Sequence, residues 1–212
     1  MTVQRKTGSR RAGKEYRKRQ LIEAAIDSIA KRGLGDTTLS HVAKTAGLSQ
    51  GIINLHFTSK ENLLNETIHY VRSEYQENWK AALEKASSEP AAKLAALLKS
   101  DYHRKVADVK KLAVWFAFWG EAKSRPVYKK ISQERVADYS EVLEETLIAL
   151  IEEGQYKIDD LDALIGGIVA MADGLWLNIL ISSGKGLKRS DAENIMMQYL
   201  CQIFPKHKEF FN

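Results

Sequence analysis

The segment TTLSHVAKTAGLSQGIINLHFTSK, residues 37–60, contains the strongest local structural signals in the chain. Its first half predicts a short helix, because apolar residues recur at three- and four-residue spacing: Leu39, Val42, Ala43 and Ala46. Either Thr37 or Thr38 can cap the start of this helix. Gly47 is placed to end it, and Ser49 is a suitable N-cap for a second helix. The stretch therefore predicts two helices joined by a tight turn.

The second helix has one inward and one outward face. Ile53 and Phe57 are one turn apart and are predicted to point inward together. The residues left on the outer face carry amide and small apolar groups: Gln50, Gly51, Ile52 and Asn54. Gln and Asn can pair with adenine in the major groove, and an aliphatic group can contact a thymine methyl. The spacing alone is equally compatible with an ordinary helical hairpin and with a DNA-binding helix-turn-helix.

The same stretch resembles the DNA-binding domain of the TetR family of bacterial repressors, through the pattern T-[ST]-L-x-x-[IV]-A-x-x-A-G-[LV]-S-x-G-x-[IL]-x-x-H-F-x-x-K. Asn54 and Leu55 depart from the family, which usually has aromatic residues there, and an amide at 54 can contact a base. Lys60 lies beside a positively polarised helix end, where it can hold a phosphate. Together these arguments predict a DNA-binding set: Arg17, Thr37, Thr38, Ser49, Gln50, Gly51, Ile52, Asn54, His56 and Lys60.

Charge is distributed unevenly along the 212 residues, whose formal net charge is +5. The first nineteen residues contain one acid, Glu15, and eight bases: Arg5, Lys6, Arg10, Arg11, Lys14, Arg17, Lys18 and Arg19. Such an arm can neutralise phosphates or enter a minor groove, although a solubilising tail has the same composition. The single cysteine, Cys201, excludes an internal disulfide and is compatible with a reducing compartment. No apolar segment follows the basic residues closely enough to form a secretory signal.

Hydrophobic periodicity predicts an all-α protein of about nine helices, with no β-alternation. Three predicted divisions follow: a basic arm at 1–15, a helix-turn-helix domain at 16–60, and an effector-binding and dimerisation domain at 61–212. The helices outside the opening stretch are predicted at about 16–32, 58–87, 90–106, 112–119, 126–153, 159–183 and 190–204. Gly33 is expected to end the first of these, and Thr58 with Glu61 matches a capping box at the fourth helix.

The predicted helix at 159–183 is apolar enough to raise the question of a membrane span. Asp173 is its only charged residue between Asp162 and Lys185, and it lies near the centre, where a charge costs about 2.5–3.5 kcal/mol on insertion scales. We therefore interpret it as a packed helix. Small residues form one stripe that permits close approach of another helix: Ala163, Gly167, Ala170 and Gly174. Two consecutive apolar helices at the end of the chain suit a four-helix interface across a two-fold axis.

Aromatic residues concentrate in LAVWFAFW, residues 112–119, and a further tryptophan follows Asp173 by three positions. A quaternary ammonium ion cannot donate an N–H hydrogen bond, so aromatic faces and a carboxylate are the groups that favour it. We therefore hypothesise a ligand pocket lined by these residues: Trp115, Phe118, Trp119, Asp173 and Trp176. The alternative is that the aromatic residues are core and that Asp173 is satisfied by a backbone or tyrosine group.

The segments VWFAFWGEAKSRP and ADGLWLNILISSGK resemble the BetI-type, choline-responsive branch of the TetR family. This resemblance implies a cytoplasmic, nucleoid-associated homodimer that represses transcription from a near-palindromic operator and is released by a small molecule such as choline. The competing hypothesis is a DNA-binding protein of the same fold with an architectural or cell-division role and no effector. An enzyme is not expected, because the chain has no Ser–His–Asp or Cys–His pattern, no phosphate-binding glycine loop and no metal-ligand histidine spacing. No cofactor is expected either.

Overall fold

The computed structural model describes the backbone of residues 4–182 and 186–212, and the side chains of residues 13–182 and 186–212. Within these ranges the chain forms nine α-helices and no strand, which confirms the all-α prediction. The helices are α1 Gln4–Asp36, α2 Leu39–Ala46, α3 Gln50–His56, α4 Lys60–Lys85, α5 Pro90–Ser100, α6 Val109–Glu121, α7 Pro126–Gly154, α8 Leu161–Ile181 and α9 Arg189–Ile203. A 3₁₀ helix, Pro205–Phe210, follows α9.

Helix α1 is interrupted near its end by Gly33, whose φ of 78° and ψ of 172° are not helical. The regular helix thus stops where the sequence predicts, and Leu34–Asp36 form a further turn. The Thr37 hydroxyl donates a 2.7 Å hydrogen bond to the Gly33 carbonyl across this break. Because a φ near 78° is strained for a residue with a Cβ atom, glycine allows the chain to turn here towards α2.

The first helix starts earlier than predicted. Its backbone is helical from Gln4, whereas periodicity placed the start at about Tyr16. Residues 4–15 have few apolar side chains, so the periodic signal began only at Leu21, where the buried face of α1 starts. The side chains of Arg5, Lys6, Arg10 and Arg11 lie outside the described residues.

Helices α2 and α3 are fixed by caps. Thr38, not Thr37, is the N-cap of α2 and accepts a hydrogen bond from the His41 N–H. Gly47 ends α2 in the left-handed conformation with a φ of 66°, as predicted. Ser49 caps α3 by accepting from the Ile52 N–H, and Ile53 and Phe57 are fully buried. The helix-turn-helix geometry follows from these local signals.

Two predicted boundaries in the rest of the chain are wrong. The N-cap of α4 is Ser59, which accepts from the Asn62 N–H, so the capping box at Thr58 is not formed. Helix α5 ends at Ser100 rather than at Val106. Asp101 turns inward there and is 2% exposed, because its carboxylate is bonded by the hydroxyl of Tyr139 from α7. The chain then forms turns before Asp108 caps α6.

Helix α8 is the one helix in the described ranges that is long and apolar enough to cross a membrane by length and composition. It packs against α6, α7 and α9, and its Asp173 is bonded to a side chain of α7. One stripe of α8 is nevertheless exposed, with Leu177 at 40% and Ile181 at 67%. The packed face agrees with the sequence interpretation, and the exposed stripe is an apolar surface that the described residues leave uncovered.

Candidate DNA interface and aromatic cage

The outer face of α3 presents exposed polar side chains. Gln50, Gly51 and Asn54 are exposed, and Ile52 is half-buried beside them. The Gln50 amide donates to the Asn54 carbonyl oxygen at 3.2 Å, so the two amides are pre-aligned on adjacent turns. Each amide keeps a free donor or acceptor for a base edge. Sequence reasoning predicted these residues as a group, and the structure brings them together.

The flanking candidates divide into exposed and buried groups. Arg17, Thr38 and Ser49 are exposed, and the guanidinium of Arg17 donates to Gln20 at 2.7 Å. Thr37 is a correction to the predicted set: its side chain is 0% exposed and bonds the Gly33 carbonyl, so it cannot reach DNA. His56 is half-buried, and its pKa is lowered by burial and by the nearby Lys14 charge. The neutral form of His56 is thereby favoured.

Lys60 has a different first partner from the one expected. Its ammonium group donates a 2.6 Å hydrogen bond to the Gly35 carbonyl at the end of α1. Lys60 therefore ties the start of α4 to the α1–α2 junction. Two further donor positions of the ammonium group remain available for a phosphate.

The predicted ligand residues meet around a cation that belongs to the protein. The guanidinium carbon of Arg135, on α7, lies 4.9 Å from the ring centroid of Trp119. It lies 5.6 Å from each of the rings of Tyr75, Trp115 and Trp176. We call these four rings the aromatic cage. All four distances are within the range of cation–π attraction, and the Arg135 side chain is 5% exposed.

Two carboxylates surround this cation. One terminal nitrogen of Arg135 donates to both oxygens of Asp173, at 3.0 and 3.1 Å. Burial raises the pKa of Asp173, and the charge of Arg135 opposes that increase. Asp101 lies deeper: burial raises its pKa to about 7, against the hydrogen bond that Tyr139 donates at 2.8 Å. The indole N–H of Trp176 donates to the Asp101 backbone carbonyl at 2.9 Å. The Arg135 guanidinium is thus held among aromatic rings and bonded directly to one carboxylate, that of Asp173.

The cluster around Arg135 differs from the predicted ligand set by one residue, Phe118, and includes three residues that were not predicted from the sequence. Phe118 is buried, but its ring packs against Tyr128 with centroids 4.5 Å apart and is not one of the four rings around Arg135. The missed residues are Tyr75, Asp101 and Arg135. A signal for Arg135 was present, because it lies in the apolar register of its helix: Tyr128, Ile131, Arg135 and Tyr139.

Two helices connect the cage to the DNA-binding domain. Helix α4 carries Tyr75 in the cage and begins at Lys60. Helix α6 carries Trp115 and Trp119, and near its start Lys110 pairs with Asp27 of α1 at 2.7 Å. The neighbouring Lys111 pairs with Glu74 of α4 at 2.6 Å. Both helices that carry these cage rings therefore contact α1 directly.

Comparison with known protein families agrees with this geometry. Residues 21–67 match the bacterial regulatory proteins of the tetR family, and residues 90–205 match the BetI-type transcriptional repressor C-terminal domain. The chain belongs to the TetR family of transcriptional regulators. Its BetI-type domain contains the predicted ligand residues. Members of this family are regulators rather than enzymes.

Named relatives and solved structures extend over most of this TetR-family chain. The HTH-type transcriptional regulator BetI of Pseudomonas paraeruginosa is 29% identical over 194 residues, which is 90% of this chain and 94% of the relative. BetI of Escherichia coli is 28% identical over 197 residues, 89% of this chain and 94% of the relative. A regulator from Saccharomonospora viridis, solved in complex with choline, superposes with a TM-score of 0.76 at 20% identity over 86% of this chain and 94% of its own. At 20% identity this superposition shows a shared fold.

Proposed function

We propose that this protein is a homodimeric, sequence-specific transcriptional repressor that binds a near-palindromic operator through α3 and is released by a small organic cation, such as choline or another quaternary ammonium compound. The observation that carries the DNA-binding part is the outer face of α3, where exposed Gln50 and Asn54 are aligned by their mutual hydrogen bond. Major-groove recognition by a short helix requires such a face. We infer further that the protein acts in the bacterial cytoplasm, associated with the nucleoid.

The dimer part is supported by the exposed stripe of α8. This stripe follows three- and four-residue spacing along one face, and its members are small or apolar: Ala163, Gly167, Ala170, Gly174, Leu177 and Ile181. Ile195 of α9 is also 45% exposed. Small residues allow two helices to approach closely. Covering exposed aliphatic residues with a partner stabilises the dimer, because apolar surface leaves water. Packing of α8 and α9 against their symmetry copies would bury this stripe in a four-helix interface.

The cation part is supported by the composition of the aromatic cage. Four rings and Asp173 already surround one organic cation, the guanidinium of Arg135. An ammonium ion without N–H donors loses little when it leaves water for aromatic faces and a carboxylate. The choline-bound relative of the same fold favours the same ligand class. The helices α4 and α6 supply a route from the cage to α1.

A second candidate function is favoured by one observation. Because Arg135 occupies the centre of the cage, the cluster can be a purely structural core of a DNA-binding protein that has no effector, with an architectural or cell-division role. The two functions differ in one measurable property. Only the effector-responsive repressor loses affinity for its operator when a small cation is added.

The test begins with selection of a DNA site from a random duplex pool by the full-length protein. Binding of a fluorescent duplex carrying that site is then followed by anisotropy during titration with choline chloride or with betaine. A titration with NaCl, matched in ionic strength to choline chloride, is the control. We expect choline to weaken binding well beyond the effect of NaCl. Unchanged affinity with every quaternary ammonium compound would leave the effector-free function. Failure to select any sequence would contradict the sequence-specific repressor.

A further inference from the structure

The centre of the aromatic cage is filled by the side chain of Arg135. This guanidinium lies within 5.6 Å of four ring centroids and is 5% exposed. Three of these rings, those of Trp115, Trp119 and Trp176, and the Asp173 carboxylate were predicted to hold a free organic cation. An external cation and Arg135 cannot occupy this space together. Binding of such a ligand therefore requires the guanidinium to leave.

The bonding of Arg135 is poor for a purely structural buried arginine. One nitrogen makes both contacts to Asp173, whereas the planar guanidinium usually places two parallel N–H groups on a carboxylate. Its Nε atom is buried and has no hydrogen-bond partner among the described residues. A buried donor without a partner destabilises the state that contains it. A compact cation that has no N–H donor would fill the cage without this penalty.

We propose that Arg135 is an intramolecular competitor for a small-cation site, so that the cage accepts a compact organic cation only after the guanidinium has moved out. This inference rests on the proposed function for its physiological meaning. Arg135 then determines specificity in two ways. It sets a minimum affinity that a cation must exceed, and it favours cations whose charge is carried without N–H groups.

The position of Arg135 on α7 also links the exchange to the DNA-binding domain. Its neighbour Glu134 and the residue one turn later, Asp138, both accept hydrogen bonds from Arg72 of α4, at 2.7 and 2.6 Å. A movement of α7 around Arg135 therefore acts on α4 through a forked ion pair. Helix α4 begins at Lys60, which is bonded to the end of α1. Departure of the guanidinium can therefore move α4, and with it the start of α4 that follows α3.

The test compares the full-length protein with Arg135→Ala and Arg135→Gln, which remove the internal cation. Arg125→Ala is the matched control, since it removes an arginine that also lies over an aromatic ring, that of Tyr128 at 5.4 Å, outside the cage. Binding of tetramethylammonium, choline and methylguanidinium is measured by calorimetry and by tryptophan fluorescence. If the cage is open in no more than about a tenth of wild-type molecules, the Arg135 variants should bind these cations at least about tenfold more tightly. Arg125→Ala should bind these cations as the wild type does.

The outcomes separate this inference from the proposed function. Tighter binding of tetramethylammonium or choline by the Arg135 variants than by the wild type supports competition, even if choline never releases wild-type protein from DNA. Equal or weaker binding by both variants overturns competition, even if choline does release the wild type. Because Arg135→Ala can fail to fold, Arg135→Gln supplies the same comparison with a side chain that still bonds Asp173. Thermal melting of both variants with and without tetramethylammonium gives a second readout, and no stabilisation of either would also overturn the inference.

Discussion

The substitution Asp173→Asn tests whether the carboxylate in the cage is energetically paired with Arg135. Removing one partner of a fully buried ion pair typically costs about 3–5 kcal/mol of unfolding free energy. Asp173 is 31% exposed in its side chain, so water screens part of the pair, and four aromatic rings remain around the guanidinium. We therefore expect a loss of about 2 kcal/mol for Asp173→Asn.

The double variant Arg135→Met, Asp173→Asn sharpens this test. Replacing a buried ion pair by groups of similar volume is often neutral, so the double variant should lie within about 1 kcal/mol of the wild type. Urea unfolding at pH 7, followed by tryptophan fluorescence, gives all three free energies. Asp138→Asn is the control, because its pair with Arg72 is more exposed and should be worth about 0.2–1 kcal/mol. The reasoning is refuted if Asp173→Asn costs no more than this control, or if the double variant is less stable than Asp173→Asn.

Three further predictions concern the DNA face and the second carboxylate. Gln50→Ala and Asn54→Ala should each relax specificity at particular base pairs, by about 1–3 kcal/mol for a bidentate contact. If site selection by either variant returned an unchanged consensus, that residue would not contact a base. Lys60→Ala should weaken binding to all sequences alike and reduce the magnitude of the slope of log affinity against log salt concentration by about one. An unchanged slope would mean that Lys60 affects binding only through its hydrogen bond to the Gly35 carbonyl. Burial raises the pKa of Asp101 to about 7, above its unfolded value of 3.8, so folding favours the protonated form and stability should fall as pH rises from about 4 to 7. Asp101→Asn should flatten that fall in urea unfolding across this pH range, and an unchanged pH dependence would show that Asp101 is not its source.

The helix-turn-helix was predictable because its signals are local. A glycine in the left-handed conformation ends α2, a serine caps α3, and two residues one turn apart are buried, as the positions of Gly47, Ser49, Ile53 and Phe57 indicate. Where two residues could serve as the same helix cap, the sequence alone did not distinguish between them. Thr37 and Thr38 are both good caps, and the choice of Thr38 depends on the bond between Thr37 and Gly33.

The aromatic cage was predictable in part. Trp115, Trp119, Asp173 and Trp176 come from two helices whose composition is unusual, and the structure brings them together. The cation at their centre was not predicted, because Arg135 lies 38 positions from Asp173 and on a helix rich in exposed charges. Contacts between remote helices leave no periodic signal in the sequence. The placement of an arginine in the apolar register of α7 was the available indication, and its meaning became clear only from packing.

We propose that the cage and the DNA face are coupled through one protein conformation. Coupling free energies are reciprocal, so a cation that weakens operator binding must itself bind more weakly to the operator complex, by the same factor. The most direct measurement is the dissociation constant of choline for the free protein and for the protein saturated with its selected duplex, determined by calorimetry in one buffer. We expect the dissociation constant of choline to be larger for the DNA-bound protein than for the free protein. The ratio of the two constants should equal the factor by which saturating choline lowers operator affinity. Equal constants for the free and DNA-bound protein would contradict this coupling.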